Sequence, residues 1–390
     1  MASPTPSMVM PNSSRANQRL TPRPGASQRR SALTSLIQPG TGESRTAKMI
    51  AGFSPAVNSG LSSGQSTGII ATMTAILCVD IGGTQIRAAA YLPGNLQPLT
   101  SRRIPTHVAG EPVFERVLAG IEAAWPAQED VAAISVAAPG PLDPASGLVF
   151  STPNIKEWVN FPLGEKLAQR FERPVFVNND ANLAAVGEWR YGAGRGHRNL
   201  LYLTISTGIG GGVILEDRLV LGWRGLAAEL GHITVLPNGP QCSCGQRGHL
   251  EAVASGPAIA AYVRAQLQAG VPSQLTLAQV TPQAIAEAAR RGDALARQAY
   301  ERAGRFLGQA IADFLHAFNP SVVVLGGGVS QSSDLFLDSL QTTLTASVMN
   351  PIYVRDLLLT TAQLGDDAGL VGALAQAEVL LEHRQRPVSP

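Results

Sequence analysis

The chain has 390 residues, 45% of them hydrophobic and 15% charged, which is enough apolar material for a large core and a length that suggests two or three folding units. Its net charge of +2 is uneven: residues 1 to 72 hold seven cationic side chains against Glu43 alone, so the remainder carries −4, and nothing in that mildly acidic body points to nucleic acid or an anionic membrane as a partner. Three cysteines, an odd number in a long chain, argue against a disulfide framework and for a reducing, cytoplasmic setting, and no apolar run approaches the ~20 residues of a membrane span.

In chain order, residues 1–72 are rich in Ser, Pro, Thr, Gly, Arg and Gln, with no sustained period of 2 or 3.6, and read as a disordered leader. The arginine- and serine-rich, acid-poor composition also suits a transit peptide, while the plainer reading is a mis-assigned or dispensable extension, because Met73 opens "MTAILCVDIGG" directly at the first strand. No pair of helical patterns joined by a short turn marks a DNA-binding module there. From Ala75, "AILCVDIGGTQIRAAAYL" predicts a buried strand, a glycine turn and a second strand. "DVAAISVAAPGPLD" is a short apolar run closed by a Gly/Pro turn, and "PVFVNNDANLAAVGEWRYGAG" a strand running into a helix. "NLLYLTISTGIGGGVILEDRLVLG" repeats strand, glycine loop, strand. Helical periodicity then runs from Gln283 to Asn319-Pro320, followed by "SVVVLGGGVS", a strand entering a glycine loop, and by the amphipathic closing helix "DDAGLVGALAQAEVLLEH". Alternating strands and helices predict the α/β class, and the recurrence at 76–92 and 200–221 predicts two similar halves.

Three loops carry phosphate-binding chemistry. Asp80 ends a strand before Gly82, Gly83 and Thr84, where glycines admit close backbone approach, the threonine adds a donor, and the carboxylate suits a hydrated Mg2+. "STGIGGG" (Ser206 to Gly212) and "LGGGVS" (Leu325 to Ser330) supply the other two, and neither they nor the first form a P-loop. In "VNNDANLAAVGE", Asp180 stands where a strand meets a helix; it is read either as a helix cap or as a general base for a substrate hydroxyl. His232, Cys242, Cys244 and His249, spaced H-x9-C-x-C-x4-H among glycines, favour a closed tetrahedral zinc site over two reduced core cysteines beside unrelated histidines. Cys78, inside an apolar strand, reads as inert core. Glu229 and Glu251 flank the cysteine loop, as solvated charges or as acceptors for sugar hydroxyls.

Taken together and in this order, "DIGGTQIRAA", "APGPLD", "NNDAN", "STGIGGGVI", "AELGHITV", "CSCGQRGHLEAVASG" and "LGGGVS" resemble the ROK (repressor, open reading frame, kinase) sugar kinases of the actin-like ATPase superfamily, from about Ala75 to the closing helix. The resemblance implies two ribonuclease-H-like α/β domains flanking a cleft: a small one at 73–190 completed by helix 366–384, and a large one at 191–365 that carries the zinc loop. It implies ATP-dependent, Mg2+-assisted phosphorylation of a hexose, with glucose the best single acceptor and fructose, N-acetylmannosamine and N-acetylglucosamine as alternatives. Asp180 would be the base. Asn179, Glu229, His232, Glu251, Asn154 and Gly140 would bind the sugar, His232 also ligating a structural Zn2+. Asp80, Gly82, Gly83, Thr84, Thr207, Gly208, Gly210, Gly326, Gly327 and Gly328 would face nucleotide, phosphate and Mg2+. Members commonly assemble as dimers or tetramers. The family usually has cysteine where this chain has His249, so its Cys3His set becomes Cys2His2. The competing reading is a sugar-sensing repressor of the same family; a third is a sugar-binding protein that has lost catalysis.

Overall fold

The computed structural model describes residues 74–385; the leader expected at 1–72 lies outside them. Strand β1 (Ala75–Ile81) is apolar almost throughout because both of its faces are covered. Leu77, Val79 and Ile81 pack against Val113, Val117 and Ile121 of helix α1 (Val113–Ala124). On the opposite face, Ile76 and Cys78 meet Leu370, Ala373, Leu374 and Ala377 near the end of the chain. β1 pairs antiparallel with β2 (Gln85–Tyr91), which pairs antiparallel with β3 (Thr100–Pro105). On its other side β1 is parallel to β4 (Val131–Ala138).

The chain then forms a small sheet of β5 (Leu142–Asp143), β6 (Leu148–Val149) and β7 (Phe161–Pro162), runs through helix α2 (Leu163–Phe171), and returns as β8 (Val175–Asn179) beside β4. Helix α3 (Asp180–Tyr191) starts where β8 stops.

The second sheet repeats the first. β9 (Leu200–Ile205), β10 (Ile209–Leu215) and β11 (Arg218–Leu219) are antiparallel neighbours. After helices α4 (Leu250–Ala254), α5 (Gly256–Gln268), α6 (Pro282–Arg290) and α7 (Ala294–Phe318), strand β12 (Val322–Gly326) joins parallel to β9. Helices α8 (Leu337–Ser347) and α9 (Ile352–Arg355) lead to β13 (Leu358–Thr361), parallel to β12. The strand orders β3-β2-β1-β4-β8 and β11-β10-β9-β12-β13 are the same topology used twice. The helical pattern from Gln283 to Asn319 forms two helices rather than one: Gly292 takes φ +96° and Asp293 caps α7 by accepting from the Ala296 N–H at 2.8 Å. Asn319, at φ 45°, ends α7 one residue before Pro320, where the sequence predicts the stop.

The last helix, α10 (Ala368–Gln385), and α3 form a layer shared by both sheets. Leu183 and Leu370 face the first sheet, while Ala184, Ala185, Ala368 and Ala375 join Leu200, Tyr202 and Val324 of the second. α3 and α10 touch backbone to backbone: a Cβ on Gly187 would stand 2.9 Å from the Ala368 carbonyl oxygen and 3.0 Å from the Gly372 nitrogen.

Candidate active site

Asn179 ends β8 extended (φ −62°, ψ 142°), and its Oδ1 accepts from the N–H groups of Ala181 at 2.9 Å and Asn182 at 3.3 Å. Asn179 is therefore the helix cap, a role the sequence left open to Asp180. The Asp180 carboxylate also accepts from the Ala181 N–H at 2.8 Å and opens into a cavity of about 390 Å3. The Asp180 side chain is exposed to this cavity, while the protein packed around its carboxylate strips it of part of its water. This desolvation, with the nearby charges of Asp80 and Glu229, pushes its pKa up to about 6 against the partial relief of the Ala181 N–H.

The same cavity is lined by Gly140, Asn154, Asn179, Thr207, Gly208, Gly210, Glu229 and Glu251, so most of the expected sugar-side residues share one wall with the base. Glu251 is held in place. Its Oε2 accepts from the Ile209 N–H at 3.1 Å, and its Oε1 from Ser243 Oγ at 2.5 Å and Cys242 Sγ at 3.4 Å. A Cβ on Gly208 would sit 2.6 Å from Glu251 Oε2 and would have to push that carboxylate out of these contacts. The loop from Gly225 to Ala228, and Pro139, Pro141 and Pro153, also line it and were not given a role by sequence. Asn182 also lines this cavity. It is 2% exposed, and its Oδ1 is the buried side-chain polar atom without a partner among the described residues, a situation that costs about 1–3 kcal/mol.

A second cavity, of about 420 Å3, shares Ser206 and Thr207 with the first. Gly256, Pro257, Arg264, Tyr300, Gly328 and Val329 line it. Of the three glycines of the third loop, only Gly328 reaches this wall. Gly326 and Gly327 are glycine for packing: a Cβ on Gly326 would collide with the Tyr202 ring and one on Gly327, at φ +83°, with Ile205. Gly210 has both duties, lining the first cavity while admitting Ala181 of α3 at 2.9 Å from where its Cβ would be. The legible hint of the second cavity was "SGPA", in which Ser255 caps α5 by accepting from the Ala258 N–H, with Pro257 in the first turn.

The first glycine loop is different. Asp80, Gly82, Gly83 and Thr84 line neither cavity. Asp80 is paired with the Arg87 guanidinium across the β1–β2 ladder and packs beneath Gly369 of α10. Gly83 abuts Asn154, its missing Cβ lying 2.8 Å from Asn154 Nδ2.

The cysteine loop gathers His232, Cys242, Cys244 and His249 so that one donor atom from each lies within 4.8 Å of the others. Cys242 Sγ is 3.6 Å from His232 Nδ1, and Cys244 Sγ is 3.3 Å from His249 Nδ1. Gly245 at φ +92° and Gly248 at φ +73° supply the turns, and Gly248 lies against Leu236 where no Cβ fits. His232 belongs to this cluster and is not on the cavity wall.

Two sheets of the same strand order sharing a helical layer, with two adjoining cavities along one glycine hairpin, define a duplicated α/β protein with a pair of candidate ligand pockets. The ROK family profile matches residues 76–379, and the chain belongs to the ROK family. It is 37% identical over 305 residues to the glucokinase of Streptomyces coelicolor, a match spanning 76% of this chain and 95% of that protein. The crystal structure of a ROK family glucokinase from Streptomyces griseus in complex with glucose and AMPPNP superposes with a TM-score of 0.67 at 35% identity, covering 78% of this chain and 99% of that one. A ROK family transcriptional regulator, a homologue of the E. coli MLC protein, superposes with a TM-score of 0.72 at 31% identity, covering 79% and 78%.

Proposed function

We propose that the chain is an ATP-dependent hexose kinase that converts glucose to glucose 6-phosphate. The observation that carries this reading is the Asp180 carboxylate, poised at a pKa of about 6 on the wall of a cavity that joins a second along Ser206–Thr207. The similarity to glucokinases over nearly their whole length supports it. The hexose occupies the first cavity, with Asn179, Asn154, Glu229, Glu251 and the Gly140 backbone offering partners to its hydroxyls. ATP occupies the second, with its phosphates over Thr207 and Gly208. Asp180 accepts the proton of the sugar 6-hydroxyl as that oxygen bonds to the γ-phosphorus and the bond from phosphorus to the β,γ-bridging oxygen breaks, releasing ADP. Mg2+ would neutralise charge on the β- and γ-phosphates, and Asp80, paired with Arg87, is the carboxylate proposed nearest to it, acting through water.

His232, Cys242, Cys244 and His249 fit Zn2+ in donor type, number and mutual distance. Four protein donors leave no open position, so the metal would brace the loop that holds Glu251. The duplicated sheet topology supports two ribonuclease-H-like domains, 73–190 completed by helix 366–384 and 191–365. Assembly as a dimer or tetramer and a cytoplasmic location belong to the same proposal; no helix among the described residues is long and apolar enough to cross a membrane. The repressor reading has one observation in its favour, the superposition on the transcriptional regulator. A coupled ADP-release assay over hexoses and N-acetylhexosamines, run beside a promoter gel shift, separates the two. Turnover with glucose is expected, and DNA binding without ADP release would overturn the kinase reading.

A further inference from the structure

Four buried polar side chains lie behind the Asp180 turn, among the apolar residues that α10 packs onto the first sheet. Ser135 of β4 is 0% exposed, Asn178 of β8 3%, Asn182 of α3 2% and Gln376 of α10 9%. Gln376 Nε2 donates to Ser135 Oγ at 3.4 Å, and Asn178 Nδ2 donates to Gln376 Oε1 at 2.8 Å. Asn178 Oδ1 accepts from the Asn179 backbone N–H at 2.9 Å and from Asn182 Nδ2 at 3.3 Å. One backbone donor sets every amide in this chain. The Asn179 N–H requires an oxygen opposite it, so Asn178 turns Oδ1 inward and Nδ2 toward Gln376; Gln376 must then present Oε1 and keep Nε2 for Ser135. The same logic explains the orphan at Asn182: having given its Nδ2 to Asn178, it is left with an Oδ1 that meets no donor. Leucines and alanines would fill this space without that penalty, as they do immediately around it at Leu183, Leu370, Ala373 and Leu374.

We infer that Gln376 and Asn178 are positioning residues for Asp180: the buried chain Ser135–Gln376–Asn178–Asn182 ties the closing helix to the turn that carries the base and fixes that turn on two strands and two helices. The inference rests on the kinase reading of Asp180. Asn178 grips the turn immediately before Asn179, and Asn182 grips it two residues after Asp180, so the base stands between two fixed points. None of the four residues touches the reacting atoms in this scheme. Relaxation of the turn would weaken the Ala181 N–H donation to Asp180, which holds the carboxyl down against desolvation and against Asp80 and Glu229, the charged groups that face it.

The test is steady-state ADP release by the full chain with glucose and ATP across a pH series, on wild type, Gln376→Met, Ser135→Ala and Glu378→Gln. Gln376→Met keeps the volume and deletes both hydrogen bonds; kcat is expected to fall about tenfold or more with the KM for ATP unchanged. The acidic limb of its kcat/KM profile is expected to move upward. Ser135→Ala should do the same to a smaller degree. Glu378, two residues along α10, accepts instead from the Gly94 N–H at 2.7 Å and from Tyr191 Oη, so Glu378→Gln should lower thermal stability and leave kcat and the pH limb alone. A folded Gln376→Met with wild-type kcat and pH limb overturns the inference while leaving the kinase reading intact. If Gln376→Met does not fold, Ser135→Ala decides by the same criterion. Wild type without ADP release on any hexose removes the kinase reading and the inference with it.

Discussion

The two glycine hairpins occupy equivalent places in the two sheets yet are used differently. The turn between β9 and β10 lines both cavities with Thr207, and Gly208 faces Glu251. The turn between β1 and β2 lines neither and leaves Thr84 exposed, while Asp80, at the end of β1, is paired with Arg87 and lies against Gly369 of α10. A repeated local sequence thus sets backbone shape, while the segments packed around each turn decide which cavity it lines.

The largest expected effect lies at the residue both hairpins act on. Asp180→Asn should lower kcat by about 10²–10⁴-fold, as loss of a general base does, in a chain that stays folded. It should also raise the thermal midpoint slightly, by about a degree, because a side chain this exposed realises only part of the desolvation cost. The folded chain holds the Asp180 proton up to about pH 6. Unfolded carboxyls release theirs near 4, so ionisation costs stability, a cost absent below that range and complete above about 6. Retained turnover in folded Asp180→Asn would remove the base from Asp180.

Next is Gly208→Ala against Gly83→Ala. The first forces a methyl onto a Glu251 pinned by Ile209 and Ser243, and the KM for glucose should rise about tenfold. The second meets Asn154, an exposed residue proposed to contact the sugar from the same wall, and should raise KM by a smaller factor. Equal effects would break the distinction between the hairpins.

The cysteine loop comes third. Metal analysis should give one zinc per chain, and His249→Ala should lose it, lowering the thermal midpoint and weakening glucose binding through Glu251. Zinc-free wild type with full activity would show the four donors to be unemployed. The smallest effect concerns pH. Activity should fall as pH drops through about 6, because protonated Asp180 cannot accept the sugar proton. Arg87→Ala, which leaves the Asp80 charge unopposed, should move that limb upward by a fraction of a unit.

Much of this was legible in residues. The continuous apolar run of β1, the Asn179–Asp180 strand-to-helix junction and the H-x9-C-x-C-x4-H spacing are local patterns, and local geometry follows from them. What could not be read is what distant segments bring. Arg264 and Tyr300 line the second cavity from helices whose sequences look like ordinary amphipathic stretches. Gly326 and Gly327 look like a phosphate loop by composition, but Tyr202 and Ile205, more than a hundred positions away, are what require them. The same holds for Gln376, a polar residue on the closing helix whose partners Asn178 and Ser135 sit far earlier in the chain.

The contact of α3 with α10 at Gly187 and Gly372 has a mechanical consequence. With no side chain between the two backbones, the helices meet without a gap and form one layer common to both sheets. A methyl on Gly372 would stand 1.8 Å from the Leu183 carbonyl oxygen, so a change of one atom there would part the two helices and loosen both sheets from their shared support.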